Sequence, residues 1–171
     1  MELILYKWTF APCLAVLLSG CGEPAQPAPD PDPREKITPS PTESSSRLDV
    51  QSMTYDEFSP LIESGLGCSF SAADDTLLVA TAAMGEAVVA KGVVKLGGEP
   101  QVVTAQESGG YDALVDGATF SDDGGLSITI TRTSEEGTPG EIETTSWPAE
   151  MVAGKSGQAP SSYTGFWACG A

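Results

Sequence analysis

Apolar and polar residues alternate with a period of two through much of the chain after residue 66. In the clearest stretch, Leu126, Ile128 and Ile130 alternate with serine and threonine. The segment 66–72 repeats the pattern with cysteine, phenylalanine and alanine on one side. Successive side chains of a β-strand point to opposite faces of the sheet, so this period predicts strands with one buried face.

Turn signals rich in glycine, aspartate and proline separate these segments at intervals of about 8–12 residues. Further strands are expected over 76–82, 87–96, around 102–103, 142–147 and 163–169. We expect Gly92 to bend the strand that contains it, and Pro148 to end the strand before it, because proline lacks a backbone donor. Seven to eight short strands predict an all-β fold, a small antiparallel barrel or sandwich.

A short N-terminal helix is expected ahead of the strands. Thr54 and Glu57 have the spacing of a capping box, in which each residue satisfies a free backbone N–H of the other. Pro60 keeps this helix short, because proline interrupts a helix interior. We expect the helix to flank the strands or to cover them as a lid.

The first 21 residues have the features of a targeting segment. Lys7 precedes an apolar run over 8–18, which is too short to cross a hydrocarbon core of about 30 Å as a helix. The run ends in Leu18-Ser19-Gly20-Cys21, which resembles the lipobox of bacterial lipoprotein precursors. The resemblance implies cleavage before Cys21 and lipids on its thiol and its new amino group. In that family an aspartate after the cysteine often retains the protein in the inner membrane, so the resemblance, with Gly22 in that position, implies the outer membrane rather than the inner membrane.

Composition changes sharply after the lipobox. Residues 22–46 contain seven prolines among mainly alanine, serine, threonine and acidic residues. Such a segment cannot bury enough apolar surface to order itself, so we predict a disordered, extended tether. The remaining 125 residues, 47–171, contain the strand pattern and nine of the twelve aromatic residues, and they are predicted to form one globular β-domain.

Two of the four cysteines, Cys68 and Cys169, fall in the predicted domain. One lies in the first predicted strand and the other in the last, and export as a lipoprotein would place both in an oxidising compartment. We therefore expect a disulfide between Cys68 and Cys169. A closed loop of about 100 residues corresponds to roughly 4.7 kcal/mol when the stabilisation is attributed to chain entropy.

The charge balance restricts the partners. The chain has 24 acidic and 8 basic residues, a formal charge of −16 and no histidine. Nucleic acids and anionic membrane surfaces need a basic patch, so we expect no nucleic acid, and the membrane to be reached through the lipid on Cys21. Without histidine, the usual base of a Ser or Cys triad and the commonest zinc ligand are missing. The acidity suits solubility and the attraction of a basic envelope protein.

No motif for catalysis, a metal or a cofactor is evident in the sequence. Asp112, Asp116, Asp122 and Asp123 lack the spacing of an EF-hand, and we interpret them as loop and hairpin residues. The stretch 108–110 is followed by neither Lys-Ser/Thr nor an apparent helix, unlike a phosphate loop. We therefore expect a protein that is not an enzyme and has no metal or cofactor. A glycan hydrolase that uses two carboxylates in one groove is the enzymatic alternative.

The last predicted strand assigns two neighbouring aromatic residues to opposite faces. Trp167 shares a face with Tyr163 and Cys169, and we expect this face to be core. Phe166 points to the other side, where it either contacts a partner or closes a second packed layer. Phe166 is therefore a candidate partner-binding residue.

Residues 68–132 weakly resemble the membrane-bound inhibitors of c-type lysozyme, which are small β-barrel lipoproteins with a domain disulfide. The shared outline runs from Cys68 through a Val-rich hairpin to 108–111 and on to Phe120. The inhibitory loop of that family has an arginine directly before a tyrosine, and Gly110 stands at the arginine position here. The resemblance implies a barrel and adds further candidate partner-binding residues. They are Ser108, Gly109, Gly110 and Tyr111.

Three functional hypotheses follow. The leading one is a lipid-anchored envelope lipoprotein whose non-catalytic β-domain binds or supports another envelope component. The second is a protein similar to the lysozyme inhibitors that binds a basic lysozyme. The third is the carboxylate-dependent glycan hydrolase.

Overall fold

A computed structural model describes residues 47–140 and 142–171, which form a closed eight-stranded antiparallel β-barrel with two additional short strands. The strands are β1 (Val50–Gln51), β2 (Gly67–Ala72), β3 (Asp75–Thr81), β4 (Val89–Leu96), β5 (Glu99–Ser108), β6 (Thr119–Ser121), β7 (Leu126–Arg132), β8 (Thr138–Pro139), β9 (Thr145–Lys155) and β10 (Ser161–Gly170). The helices are α1 (Tyr55–Phe58) and α2 (Gly110–Val115). The predicted all-β fold and short N-terminal helix are confirmed. The predicted signal segment with Cys21 and the predicted tether lie outside the described residues.

Pairing runs around the barrel in the order β4-β3-β2-β10-β9-β7-β6-β5, and β5 pairs with β4 to close it. The strand β1 pairs with the end of β4 that lies beyond β3, and β8 pairs with the start of β9 that lies beyond β7. Each extra strand therefore prolongs the wall where a neighbouring strand has ended, which limits the exposed sheet edge.

Side chains that point inward fill the barrel. Trp167, Phe70 and Phe120 are the largest fully buried side chains, and the alternation predicted for β7 places Leu126, Ile128 and Ile130 in the core. An eight-stranded barrel is just wide enough for side chains to fill its interior. A ligand of this domain would therefore bind on the outside of the barrel.

The predicted disulfide is present between Cys68 and Cys169. The two residues are direct partners in the register of β2 and β10, with their Cα atoms 4.0 Å apart. Both are buried in the core cluster, on the same face of β10 as Trp167. The bond joins two neighbouring strands that are 101 residues apart in sequence.

The strand predicted to stop at Pro148 does not stop there, because β9 begins at Thr145 and continues to Lys155. The neighbouring strand β7 ends at Arg132, and the N–H of Thr133 donates to the carbonyl oxygen of Pro148 at 2.8 Å. Pro148 therefore lies at the end of the β7–β9 ladder, where a missing N–H costs at most one hydrogen bond.

The irregularity expected at Gly92 lies slightly earlier in β4. The pairing with β5 shifts between Val89 and Lys91, whereas Gly92 pairs regularly with Ala80 and Val103. A Cβ atom at Gly92 would lie 3.3 Å from Val103 Cγ2 and 3.3 Å from the carbonyl oxygen of Val79. Gly92 therefore allows β3 and β5 to approach β4 closely, and it does not bend the strand.

The barrel has two different ends. At the end called here the hairpin end, the strands are joined by turns of two to five residues: 73–74, 97–98, 122–125 and 156–160. At the loop end, the segments are longer: 59–66, which leads into β2, and the connections 82–88, 109–118 and 133–144.

Each end is closed by a different element. The segment 47–51 crosses the hairpin end, where the Leu48 N–H donates to Ala159 and the Val50 N–H donates to the Tyr163 hydroxyl at 2.9 Å. At the loop end, α2 inserts Leu114 into the core, and the indole N–H of Trp167 donates to the Leu114 carbonyl at 3.0 Å. No helix in the described part of the chain is long and apolar enough to span a membrane.

Candidate functional site

The candidate binding residues at 108–111 form part of the closure at the loop end. The N–H groups of Gly109 and Gly110 donate to the Val88 carbonyl at 3.0 and 2.9 Å, and the Tyr111 N–H donates to Ala83. These bonds hold the start of α2 against the β3–β4 connection. The helix was not expected from the sequence, and the prediction that no helix follows Gly110 is wrong.

Gly110 is buried and has a φ of +60°. A Cβ atom at this position would lie 2.5 Å from the Ala83 carbonyl oxygen and 2.7 Å from that of Gly85. Contacts this short with backbone atoms require the main chain to shift. The position at which the lysozyme inhibitors have an arginine therefore has no room for a side chain here.

Tyr111 packs against the core cluster and is half-buried, while Ser108 at the end of β5 is exposed. Burial, with a smaller contribution from Asp112, raises the pKa of the Tyr111 phenol above its usual value. Phe166 is 55% exposed on the outer face of β10, which lies four strands from β5 in either direction around the barrel. The structure therefore brings 108–111 together at the loop end and places Phe166 on the opposite wall.

The four aspartates close in sequence do not form one cluster. Asp112 and Asp116 lie in and after α2 at the loop end, whereas Asp122 and Asp123 lie in the β6–β7 turn at the hairpin end. Asp122 Oδ1 accepts a hydrogen bond from the Leu126 N–H at 2.8 Å, which fixes that turn.

The loop-end segments are longer than the turns of the hairpin end and contain more acidic residues. The described residues of its four segments include seven acidic side chains, and these segments contain no lysine or arginine. The seven are Glu63, Glu86, Asp112, Asp116, Glu135, Glu136 and Glu143. The turns of the hairpin end contain three, Asp74, Asp122 and Asp123, and Asp75 and Glu99 begin the strands that follow two of these turns. Three large apolar side chains, Leu61, Met84 and Ile142, are also exposed in the loop-end segments.

Arg132, the last residue of β7, borders the loop end, but its charge is compensated. Its guanidinium lies 3.1 Å from Asp116 and 3.7 Å from Glu135, and it stacks 4.9 Å from the centre of the Trp147 ring. The side chain is only 15% exposed. Trp147 thus packs against a paired cation, and the loop end keeps its negative charge.

A groove of about 450 Å³, called here the α1 groove, runs along the outside of the barrel toward the loop end. One wall consists of Tyr55, Phe58 and Ile62 from α1 and the residues after it. The floor is the outer face of β2, β3 and β10, where Val79 and Ala168 face the groove.

The wall of the α1 groove is fixed to the barrel at two points. The Met53 N–H donates to the Thr76 carbonyl at 2.9 Å, and Lys95 of β4 forms an ion pair with Glu57. Glu57 also accepts a hydrogen bond from the Thr54 N–H, as the capping box predicted. The bond from Lys95, followed by the bond from Thr54, lowers the pKa of Glu57 to about 2.

This groove was not expected from the sequence. The signal available was the i, i+3, i+7 spacing of Tyr55, Phe58 and Ile62, which places the three side chains on one side of a helical segment. The sequence could not show that this side faces the outer surface of β2 and β3 together with β10, which lies far from them in the chain.

No protein-family model, curated protein or solved structure matches this chain.

Proposed function

We propose that this protein is a lipid-anchored, non-catalytic binding protein of the bacterial envelope, and that its loop end engages a basic envelope component. The charge distribution supports the proposal most strongly, since the loop-end segments combine seven described acidic side chains with exposed apolar ones and no basic residue. A surface of this composition attracts cationic partners and offers them apolar contacts.

The position at which the chain enters the domain supports the same arrangement. Arg47 pairs with Ala159 at the hairpin end, and the lipobox cysteine lies upstream of it in the sequence. A lipid on Cys21 would therefore hold the domain through its hairpin end. The loop end, on the other side of the barrel, would remain accessible to a partner.

Two matched sets of substitutions test the proposal. Glu86→Gln, Glu136→Gln and Glu143→Gln neutralise three exposed carboxylates at the loop end. The control set, Asp74→Asn, Glu99→Gln and Asp123→Asn, removes the same charge at the hairpin end. Each set would be placed in the mature chain, 21–171, with Cys21→Ala to prevent lipidation.

The probe is a heptapeptide of alternating lysine and leucine, titrated calorimetrically at about 0.15 M salt, where exposed charges interact only within about 8 Å. We expect the loop-end set to weaken binding at least about fivefold, because each exposed charge pair contributes a few tenths to one kcal/mol. The control set should change the affinity for the peptide less than about twofold. Equal losses in the two sets would contradict the proposal.

A second candidate function is inhibition of a c-type lysozyme, and the eight-stranded barrel with its disulfide favours it, because both agree with the resemblance. The steric closure at Gly110 means that such inhibition would use the acidic loop end rather than an inserted arginine. Titrating the mature chain against lysozyme activity tests it, with an acidic protein of matched charge as the control. Stoichiometric inhibition by this protein alone would support the second candidate, and its absence would exclude it.

A further inference from the structure

The α1 groove has the composition of a binding site for an apolar anchor. Tyr55 and Phe58 form an edge-to-face pair with ring centres 5.4 Å apart, and Tyr55 remains 69% exposed. Below them, the outer positions of β2 and β10 are small residues, among them Ala168. An aromatic wall above a floor of small side chains leaves space for an inserted group, and such pockets supply most of the binding energy at interfaces.

Charge limits the group that fits. Glu63 is the only charged residue among the described residues that line the groove, and none of these is a lysine or arginine. An anionic ligand would find no counter-charge here, whereas a cation beside the apolar group would meet Glu63 and the faces of Tyr55 and Phe58.

The groove is continuous with the acidic loop end. Thr144 lines it at that end, and the neighbouring residue in the chain, Glu143, is one of the exposed acidic residues of the β7–β9 connection. A partner segment with its apolar side chain in the groove would therefore place its flanking residues beside Glu63 and Glu143.

We propose that the α1 groove is the docking site for an extended basic segment of the partner, which inserts one large apolar side chain between the α1 wall and the outer face of β2, β3 and β10. The inference rests on the proposed function, because it specifies how the basic component would be held. It commits to a lysine- or arginine-bearing polypeptide, in which the apolar anchor supplies affinity and the cations supply orientation.

The test compares two tryptophan substitutions on the same face of the same strand. Ala168→Trp fills the groove, whereas Thr164→Trp places the same side chain at an exposed outer position of β10 that does not line it. The mature chain with Cys21→Ala is titrated with the alternating lysine–leucine heptapeptide. The counterpart in which glutamate replaces lysine is the charge control.

We expect Ala168→Trp to weaken binding of the lysine peptide at least about tenfold and Thr164→Trp less than about twofold. The indole at position 168 would occupy the space that the apolar side chain of the peptide needs. The glutamate peptide should not bind measurably. Equal affinities of the two tryptophan variants, or equal binding of the two peptides, would overturn the proposal.

A second measurement does not depend on the folding of any variant. Amide chemical shifts of the mature chain whose only substitution is Cys21→Ala, followed during the titration, should change most at Phe58, Glu63 and Ala168. Changes confined to other surfaces would overturn the groove proposal.

If the loop-end charge set still weakens binding while Ala168→Trp does not, the groove proposal fails and the proposed function stands. If the lysine peptide does not bind at all, both fail.

Discussion

The two ends of the barrel are closed in different ways. At the hairpin end the strands reverse within two to five residues, and the segment 47–51 adds hydrogen bonds from its own main chain. At the loop end the connections between strands are seven to twelve residues long. Closure of this end depends on α2, on the buried Leu114 and on the hydrogen bond from the Trp167 indole to the Leu114 carbonyl. The disulfide lies at this end, one residue from the limits of β2 and β10.

The difference shows how the fold supports long connections that carry charge. Longer loops cost more closure entropy, and carboxylates at one end of the barrel repel where no cation pairs with them. The disulfide and α2 offset these costs at the end where they arise. Binding residues are commonly placed on loops that a rigid scaffold positions, and the loop end has this arrangement.

The largest effect is expected from removing the disulfide. The double substitution Cys68→Ser and Cys169→Ser should lower the free energy of unfolding by about 3–5 kcal/mol, because a loop of about 100 residues is no longer closed in the unfolded chain. Urea denaturation measures the loss, and hydrogen exchange should locate the loosening at the loop end. A decrease in the free energy of unfolding below about 1 kcal/mol, or faster exchange mainly at the hairpin end, would contradict the conclusion that the disulfide stabilises the loop end.

Two glycines with the same backbone angle test the packing of each end. Gly110 at the loop end and Gly97 at the hairpin end both have φ of +60°, but a Cβ at Gly97 meets nothing within 4 Å. We expect Gly97→Ala to cost about 1 kcal/mol through backbone strain alone. Gly110→Ala should cost at least about 2 kcal/mol, because its Cβ also displaces the Ala83 carbonyl.

Thermal or urea denaturation of the two alanine variants, side by side, measures this difference. Equal losses would show that the β3–β4 connection moves aside freely. In that case the loop end would have room for a side chain at the position where the lysozyme inhibitors have arginine.

The smallest effect concerns the attachment of the α1 wall. The pKa of Glu57 is lowered from 4.5 to about 2, chiefly by Lys95, so its carboxylate stabilises the fold above pH 4.5 and loses this contribution as the pH falls toward about 2. The urea midpoint should therefore fall more between about pH 6 and about pH 2 in the unsubstituted protein than in Glu57→Gln. Lys95→Met should reduce the pH dependence in the same way. Identical pH dependence in all three proteins would exclude the ion pair as its cause.

Local patterns predicted much of the wall of the barrel. The alternation over 126–131, the capping box at Thr54 and Glu57, and the pairing of Cys68 with Cys169 all depend on neighbouring residues or on position along the chain. These features are confirmed by the structure. The choice of a barrel over a sandwich remained open, because closure also requires pairs distant in sequence, such as β2 with β10.

The features that were missed depend on tertiary contacts. Pro148 fits inside β9 because β7 ends beside it, which no local pattern reveals. The helix α2 begins with two glycine N–H groups that bond to the Val88 carbonyl, and its sequence alone is a weak helix signal. The α1 groove exists only because the wall from 55 to 62 lies over β2 and β3 beside β10, which is distant in sequence.

The central claim, that the loop end faces and binds a basic envelope component, is tested most directly in the lipidated protein within the envelope. A photo-crosslinking amino acid at Glu86 probes the loop end, and the same amino acid at Asp74 probes the hairpin end, both being exposed acidic positions in connections between strands. We predict a crosslinked basic protein from position 86 and none from position 74. An adduct from position 74 alone, an acidic protein at position 86, or no adduct from either position would contradict it.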